Sequence, residues 1–459
     1  MIFSSIPFLY YFLPVVLLVY GLTPRKGKNA VLLLFSLVFY GWGEPKYLAV
    51  MLVCTALGYG FGLALGRAGR PGVRKALLAA SVLSSLSFLV YFKYADFFLS
   101  NFNALTGASL PLLQLTLPVG ISFYTFQILS YTVDVYRGEA QVQKNPIDLA
   151  CYVTMFPQLI AGPIVRYTDV AEQLKQRGRG DFQKGASRFL VGLGKKILFA
   201  NLLGEVCAAW RGTQDGSVLF SWLYAVSYTL HIYFDFSGYS DMAIGLGALL
   251  GFRFPENFNY PYIAASVTEF WRRWHMTLSR WFRDYVYIPM GGSRVSRWRW
   301  VLNILTVWML TGLWHGAAWN FVLWGLLFAA LLLAEKWIPV LQRLPGVLRH
   351  GYVLLAVVLS FVLFNADSLA QAGQDFAGLF GFGSLSLTSA ETLYYLKSYA
   401  VLFVLGILGS TPVVKNAARR IDGTKAGVVL EAAAMLALLI VCTAYLVDGS
   451  FSPFLYFRF

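Results

Sequence analysis

The run Tyr47-Leu-Ala-Val-Met-Leu-Val-Cys-Thr-Ala-Leu-Gly-Tyr-Gly-Phe-Gly-Leu-Ala-Leu65 decides the fold class, because it carries no charged residue. About twenty helical residues, at about 1.5 Å each, cross a hydrocarbon core of about 30 Å. Similar runs occur at 8–22, 76–92, 393–408 and 428–446, the last two interrupted once each, by Lys397 and Glu431. The sequence therefore predicts an all-α polytopic membrane protein.

The composition agrees with this class. Of the 459 residues, 58% are hydrophobic and only 13% are charged, and the mean hydropathy is +0.61. A soluble domain of this size does not hide so much apolar surface. The run at 8–22 has no basic residue before Arg25, contains Pro14 and lacks a small-x-small cleavage site. We therefore expect a retained first span and not a cleaved signal peptide.

The net charge of +15 predicts membrane orientation and not nucleic-acid binding, because Lys and Arg fall in the loops between apolar runs. We expect the basic loops to face the cytoplasm, where anionic lipid headgroups attract them. They are 25–28, 67–75, 166–188, 294–299, 343–349 and 415–425. No Lys or Arg lies between Arg349 and Lys397, so we expect the small, polar loop 366–391 and the amino terminus to face outward.

A single membrane domain, 1–459, is the simplest organisation, because the sequence shows no internal repeat and no long linker. We divide it into amino-terminal spans at 1–135, a core at 136–340 that includes a partly helical charged loop at 166–188, and carboxy-terminal spans at 341–459. The four cysteines lie far apart in apolar surroundings, which is typical of free buried thiols.

Residues 220–335 differ from the remaining chain, because Gly, Pro, Asn and charged residues interrupt their apolar segments. Nine of the 13 tryptophans fall between Trp271 and Trp324. Irregular backbone at membrane depth is tolerated only where protein buries it or where it lines a cavity. We therefore predict that the functional site lies within residues 220–335.

The first of two histidine segments reads Glu269-Phe-Trp-Arg-Arg-Trp-His275-Met-Thr-Leu-Ser-Arg280. A helix over 268–282 would place Trp271 and His275 on one face and the arginines on the others, as an interfacial amphipathic helix. Glu269 and Arg273 would pair across one turn. We expect His275 to be functional; the structural alternative is a ring satisfied by a backbone carbonyl.

The second segment reads Thr311-Gly-Leu-Trp-His315-Gly-Ala-Ala-Trp-Asn320. It follows an apolar run at 300–313 that we interpret as a span. On one continuous helix His315 would share a face with Trp308, Thr311, Gly312, Ala318 and Trp319. Gly312 and Gly316 would let a neighbouring backbone or an extended ligand approach closely. Burial favours the neutral ring that a general base needs, whereas a structural histidine would donate to a neighbouring helix.

Two further segments weigh less. In Tyr233-Phe-Asp235-Phe-Ser-Gly-Tyr-Ser-Asp241, we expect Asp235 to pair with an arginine near Arg272 and Asp241 to begin a helix capped by Ser240. Both carboxylates are predicted to support the site, with a proton relay or ligand contact as the alternative. Prolines break the apolar run 155–163, which either shapes a cavity or forms a re-entrant turn.

Motif searches give no support for other chemistry. The sequence contains no H-E-x-x-H, no paired C-x-x-C, no Walker loop and no G-x-S-x-G elbow. It therefore predicts neither a metal site nor a nucleotide fold.

Four motifs in order resemble the membrane-bound O-acyltransferase (MBOAT) superfamily, over nearly the whole chain. They are 156–167, 233–241, 270–275 and 312–320. Within that superfamily, 281–294 and the Trp-His-Gly-Ala-Ala-Trp sequence look like the bacterial, alginate-type polysaccharide O-acetyltransferase branch. The sister branch, which exports D-alanine to teichoic acids, is the nearest alternative.

The resemblance implies a ring of roughly 11 to 13 tilted transmembrane helices around a central funnel, with broken and interfacial helices in the middle. It also implies catalytic His315 and His275 on opposite sides of a narrow path, in a bacterial inner membrane. The acyl donor would be acetyl-CoA or another cytoplasmic thioester, with no bound cofactor. An extracytoplasmic acetyltransferase partner and a polysaccharide would receive the acetyl group.

On this basis His315 is predicted to activate the accepting hydroxyl, while His275, Trp271 and Trp274 shape the donor mouth. The predicted tunnel or substrate contacts are Trp314, Asn320, Gly312 and Gly316, and the supporting residues are Asp235, Asp241 and Arg273. A proton-coupled transporter using the same histidines and carboxylates, and a non-catalytic scaffold, are the alternatives from other classes.

Overall fold

The computed structural model describes residues 1–214, 216–382, 385–421, 423–448 and 454. Over these residues the secondary structure is helical, and the only extended pairing is an isolated bridge between Ser217 and Ser386. The predicted all-α class is confirmed.

Six helical segments of the described chain are long and apolar enough to cross a membrane. They are Pro45–Arg67, Pro71–Thr106, Trp319–Trp337, Gly346–Asn365, Ala390–Gly409 and Lys425–Val447. Four of them contain runs picked out from the sequence, and the first run, at 8–22, lies in the shorter apolar helix Pro7–Leu22. The chain is a multi-pass membrane protein, and the larger count of roughly 11 to 13 spans stays a prediction.

The first half of the chain contains the helices up to residue 212. They are α1 (Leu13–Leu22), α2 (Lys28–Gly43), α3 (Leu48–Arg67), α4 (Pro71–Leu89), α5 (Ala95–Thr106), α6 (Ile121–Arg137), α7 (Pro146–Thr154), α8 (Phe156–Leu159), α9 (Tyr167–Lys175), α10 (Phe182–Gly194) and α11 (Leu202–Gly212). Helices α9 and α10 confirm that the charged loop 166–188 is partly helical. Met155 separates α7 from α8, so the predicted break at 155–163 is confirmed.

The second half begins with a helix of 32 residues. Its helices are α12 (Val218–Leu249), α13 (Val267–Arg273), α14 (Met276–Phe282), α15 (Arg297–His315), α16 (Trp319–Trp337), α17 (Pro339–Arg343), α18 (Gly346–Asn365), α19 (Leu369–Phe380), α20 (Ala390–Gly409), α21 (Val413–Arg419) and α22 (Lys425–Val447). Helix α15 contains the predicted span 300–313, although it is not among the six apolar segments.

Two expectations about this half are wrong. The prediction that 366–391 is a loop fails over α19, whose amino terminus is capped by the Ser368 hydroxyl accepting from the Gln371 N–H. The prediction that Asp241 begins a helix also fails, because α12 runs through it without interruption. Gly238 lies inside α12 against the Gly192 carbonyl, so the glycine serves close packing and not a helix start.

Contacts divide the chain into two compact units. The first unit comprises 1–189 and 240–256, and the second comprises 190–239 and 257–459. In the first unit, the rings of Phe3, Phe8, Phe12, Phe39 and Phe156 pack together. The second unit has a large core of buried aromatic and aliphatic side chains that includes Trp271, Trp274 and Trp324. All four histidines belong to the second unit, and the single-domain organisation stays a prediction.

Candidate active site

Helices α15 and α16 form a tight hairpin whose turn follows His315. Gly316 is extended, with φ −167° and ψ 155°, so α15 ends at His315 and α16 begins at Trp319. The predicted alignment of His315 with Ala318 and Trp319 on one helix is therefore wrong. Trp319 is half exposed, whereas His315 is buried at the carboxy-terminal end of α15.

Glycines allow the two helices of this hairpin to touch at the level of the backbone. A Cβ atom on Gly312 would lie 2.2 Å from the Phe321 carbonyl oxygen, and one on Gly316 would lie 2.2 Å from the Phe321 ring. The neighbouring backbone that these glycines were expected to admit is therefore that of α16. The predicted substrate contact of Gly312 and Gly316 stays a prediction.

Aromatic rings surround the His315 imidazole. The ring centroids of Trp314, Trp324 and Phe364 lie 5.0, 5.1 and 5.3 Å from that of His315, all at steep angles. Such edge-to-face contacts hold a ring in one orientation. The imidazole therefore has a fixed position in apolar surroundings.

The predicted helix over 268–282 is broken at its histidine. Helix α13 ends at Arg273, His275 adopts left-handed backbone angles of φ 43° and ψ 52°, and α14 begins at Met276. A non-glycine residue in this region is strained and persists only where neighbouring contacts enforce it. The enforcing contacts come from the preceding loop: the Asn259 N–H donates to the Arg273 carbonyl, and the Met276 N–H donates to the Asn257 carbonyl.

The Asn257 side chain fixes the ring of His275. Its Oδ1 accepts from the Thr277 hydroxyl at 2.8 Å and from the Thr277 N–H at 3.3 Å, which identifies this atom as the oxygen. The same Oδ1 lies 3.1 Å from His275 Nδ1. Nδ1 therefore carries the proton and donates it, which leaves Nε2 as the basic nitrogen of a neutral ring.

Burial keeps that ring neutral. His275 is fully buried and lies outside the six apolar segments. Loss of hydration, reinforced by the nearby His315, lowers the pKa of His275 well below its usual range. A Phe236 ring packed edge-on against the imidazole, at 4.6 Å between centroids, contributes to this apolar environment.

The two histidine segments converge in space. The ring centroids of His275 and His315 lie 6.4 Å apart, and Trp314 contacts both, at 5.8 and 5.0 Å. Two hydrogen bonds of about 3 Å joined at one atom span a similar distance. The second unit therefore brings the two predicted catalytic histidines and Trp314 together.

The other predicted tryptophans lie in the aromatic packing behind the histidines. Trp271 packs edge-on against Trp308, at 4.6 Å between centroids, and against Trp324, at 5.7 Å. Trp274 packs on Phe258 and Phe361, at 5.0 and 5.2 Å. Both indoles are buried, so their predicted part in a donor mouth stays a prediction.

The side chain of Asn320 binds the backbone at the end of a neighbouring helix. Its amide donates to the Ala366 carbonyl at 2.8 Å and approaches the Phe364 carbonyl at 3.5 Å. These carbonyls lie at the end of α18, where backbone acceptors need partners. Asn320 therefore ties the start of α16 to the end of α18 and positions Phe364 beside His315.

The supporting charged residues pair, though not all as predicted. Arg273 binds Glu269 across one helical turn, at 2.8 Å, which confirms that expectation. Asp235 pairs with Lys196 at 2.6 Å and not with an arginine near Arg272. Lys196 was missed because nothing in its own stretch marks a buried lysine.

In the first unit, Asp241 binds Arg188 at 2.6 Å, and that guanidinium also binds Glu256. Asp241 thus lies in a different compact unit from the two histidines. Among the residues that the structure describes, His, Cys, Asp and Glu side chains form no group of three that would hold a metal ion.

The sequence analysis also missed Asn257 and Trp324. Asn257 lies in an irregular loop, and its importance follows only from its contacts with His275 and Met276, where the helix is interrupted. Trp324 belongs to the tryptophan-rich stretch that we noted, but its helix turns back toward His315 only because the chain reverses at Gly316. The tryptophan density was the available signal, and it was too coarse to select one residue.

The described residues form an all-helical, multi-pass membrane protein, and two buried histidines lying side by side mark a candidate functional site in such a protein. The membrane-bound O-acyltransferase family matches residues 72–370, a range that contains both histidines. The chain belongs to this family and is an O-acyltransferase.

Three relatives show the range of its similarities. The chain is 38% identical to the probable alginate O-acetylase AlgI of Azotobacter vinelandii over all of both chains. It is 33% identical to the peptidoglycan O-acetyltransferase of Helicobacter pylori, over 84% of this chain and 81% of that one. It is 29% identical to the teichoic acid D-alanyltransferase of Bacillus subtilis, over 53% of this chain and 65% of that one.

Proposed function

We propose that this enzyme O-acetylates an extracytoplasmic polysaccharide, taking the acetyl group from a cytoplasmic thioester, with acetyl-CoA as the donor. The proposal includes a multi-pass location in a bacterial inner membrane with the amino terminus outside. Support comes from the similarity to a probable alginate O-acetylase, which covers all of both chains. The similarity to a D-alanyltransferase covers only 53% of this chain. Membership in an acyltransferase family favours this function over a transporter or a scaffold.

The observation that carries the proposal is the 6.4 Å separation of the His275 and His315 rings. This separation leaves room for the accepting hydroxyl to lie beside His275 and to donate its proton to a His315 nitrogen at a hydrogen-bonding distance of about 2.6–3.2 Å. Both rings are buried, and their aromatic neighbours keep bulk water away from the reaction.

The reaction in this arrangement is a single acyl transfer. His315 removes the proton of the accepting hydroxyl as its oxygen attacks the thioester carbonyl carbon. The new C–O ester bond forms, the C–S bond breaks, and the imidazolium returns the proton to the leaving thiolate. His275, whose ring is fixed by the contact of its Nδ1 with Asn257, lies beside His315 and shapes the donor side of the site.

The acceptor is either the polysaccharide hydroxyl itself or a hydroxyl of a partner protein that passes the acetyl group on. Both are alcohols, so the chemistry at His315 is the same. Adding alginate oligosaccharide alone, or with an extracytoplasmic acetyltransferase, to the purified enzyme separates the two routes.

The test uses the full chain in proteoliposomes with radiolabelled acetyl-CoA. His315→Ala is expected to lower the rate of acetyl transfer by about 10²–10⁴-fold, the usual contribution of a general base. His350→Gln is the matched control, because His350 lies in the same unit and binds the Ala264 carbonyl instead. Full activity of His315→Ala would overturn the assignment. Transfer from a D-alanyl carrier protein, and not from acetyl-CoA, would overturn the assignment of acetyl-CoA as the acyl donor.

A further inference from the structure

Two buried indole N–H groups stand out in the second unit. Within the described part of the chain, Nε1 of Trp324 and Nε1 of Trp271 have no hydrogen-bond partner. Trp324 is 1% exposed and Trp271 is 6% exposed, so both side chains are buried away from bulk solvent. A buried donor without an acceptor lowers stability, and an apolar ring of the same shape would not carry that cost.

The position of Trp324 relates its N–H to the reaction. Its ring packs edge-on against His315, at 5.1 Å between centroids, and against Phe364, at 5.0 Å. Helix α16 holds it there, because Gly325 lies so close to α15 that an added Cβ would be 2.2 Å from the Trp308 carbonyl oxygen. The indole ring of Trp324 is therefore held in place beside the proposed general base.

An acyl transfer is faster when a hydrogen-bond donor lies next to the carbonyl oxygen of the acyl group. As the hydroxyl oxygen bonds to the carbonyl carbon, the C=O electron pair moves onto the carbonyl oxygen, which becomes an oxyanion. Preorganised N–H groups in water-excluded sites stabilise such an oxygen strongly. The sequence analysis assigned no hydrogen-bond donor to this oxygen. The amide of Asn320, one of the predicted substrate contacts, donates to the Ala366 carbonyl instead.

We propose that the indole N–H of Trp324 donates a hydrogen bond to the carbonyl oxygen of the acyl donor and stabilises the oxyanion that forms during transfer. This inference rests on the proposed function, because it assigns a further catalytic residue to the same reaction. Trp271, whose ring lies 5.7 Å from that of Trp324, places a second indole donor next to it.

The decisive variant replaces Trp324 by 3-benzothienylalanine, in which sulfur takes the place of the N–H while the ring shape is kept. Acetyl transfer from acetyl-CoA is expected to fall by about 10²-fold in kcat, as for the loss of one oxyanion donor. The unfolding temperature should stay the same or rise, because the donor has no partner in the protein. The same replacement at Trp222, whose N–H donates to the Leu379 carbonyl, is the control: it should lower stability and leave kcat unchanged.

A spectroscopic measurement tests the contact without turnover. S-acetonyl-CoA carries a ketone in place of the thioester, and its ¹³C=O stretch shifts to lower frequency when the oxygen accepts a hydrogen bond. We expect that shift on the wild-type enzyme and its loss in the Trp324 variant. An unchanged kcat and an unchanged stretch would overturn the role of Trp324 and leave the proposed function standing. A wild-type enzyme that neither binds the analogue nor transfers acetyl groups would overturn both.

Discussion

Nδ1 of His275 lies 3.1 Å from Oδ1 of Asn257, and this contact decides which nitrogen of the ring is basic. Because the oxygen also accepts from Thr277, it cannot act as a donor, and the imidazole proton is confined to Nδ1. The Asn257 loop therefore sets both the backbone and the tautomer of the histidine.

We expect Asn257→Leu to lower acetyl transfer by about tenfold or more, since removing the acceptor leaves a buried N–H unpaired at a cost of about 1–3 kcal/mol. Asn257→Asp keeps an acceptor and adds a charge that favours the imidazolium, so the acidic limb of the pH–rate profile should move to higher pH. The measurement is kcat against pH. Asn259→Ala is the control, because that side chain is exposed. A wild-type profile in both Asn257 variants would contradict the assignment.

The lowered pKa of His275 predicts an acid-sensitive fold. The unfolded chain binds a proton near pH 6.5, whereas the folded ring does so only at lower pH, so stability is lost as pH falls below about 6.5. In detergent, the unfolding temperature of the wild type should fall more between about pH 7.5 and about pH 5.5 than that of His275→Asn. Equal falls in the two proteins would show that His275 is not held neutral.

The buried pair of Lys196 and Asp235 predicts a test by double substitution. Both side chains are at most 2% exposed, so Lys196→Met should destabilise the fold by about 3–5 kcal/mol by removing the ammonium group that binds a buried carboxylate. Adding Asp235→Leu should recover most of that loss, because two apolar groups replace the pair. Denaturant unfolding in detergent measures both changes. If the double variant is as unstable as Lys196→Met, the pair has a role other than mutual compensation.

The backbone contact of α15 with α16 predicts that Gly312→Ala is destabilising by about 1–3 kcal/mol, the usual cost of overpacking. Its Cβ would lie 2.2 Å from the Phe321 carbonyl oxygen, which cannot move aside as a side chain can. Gly351→Ala in α18 is the matched control, since nothing lies within 4 Å of its Cβ, and it should be neutral or slightly stabilising. Similar unfolding temperatures for the two variants would argue against the close contact.

Much of the fold was predictable because hydropathy reports membrane spans directly. The runs at 47–65, 393–408 and 428–446 all lie in helices of about the expected length. Hydropathy is less informative where an apolar helix contains charged residues, so Asp235 and Asp241 suggested that the helix is interrupted between them. The helix α12 is continuous there, because Asp235 pairs with Lys196 and Asp241 pairs with Arg188.

The site was predictable in its residue types and not in its geometry. Histidines in apolar surroundings are costly, which selected His275 and His315 from the sequence. Their separation depends on two chain reversals, at His275 and at Gly316, and periodicity assumes that a helix continues. The Asn257 contact that enforces the first reversal is long-range in sequence and leaves no local pattern.

Reciprocal contacts in the hairpin have a mechanical consequence. Gly312 meets the main chain of α16 at Phe321, and Gly325 meets the main chain of α15 at Trp308, each with no room for a Cβ. Two helices locked in this way move as one body, so His315 and Trp324 keep their spacing while substrates come and go. Any opening that admits a donor must therefore come from the elements that surround the hairpin. Amides along α15 and α16 should accordingly exchange with solvent deuterium as a single slow group.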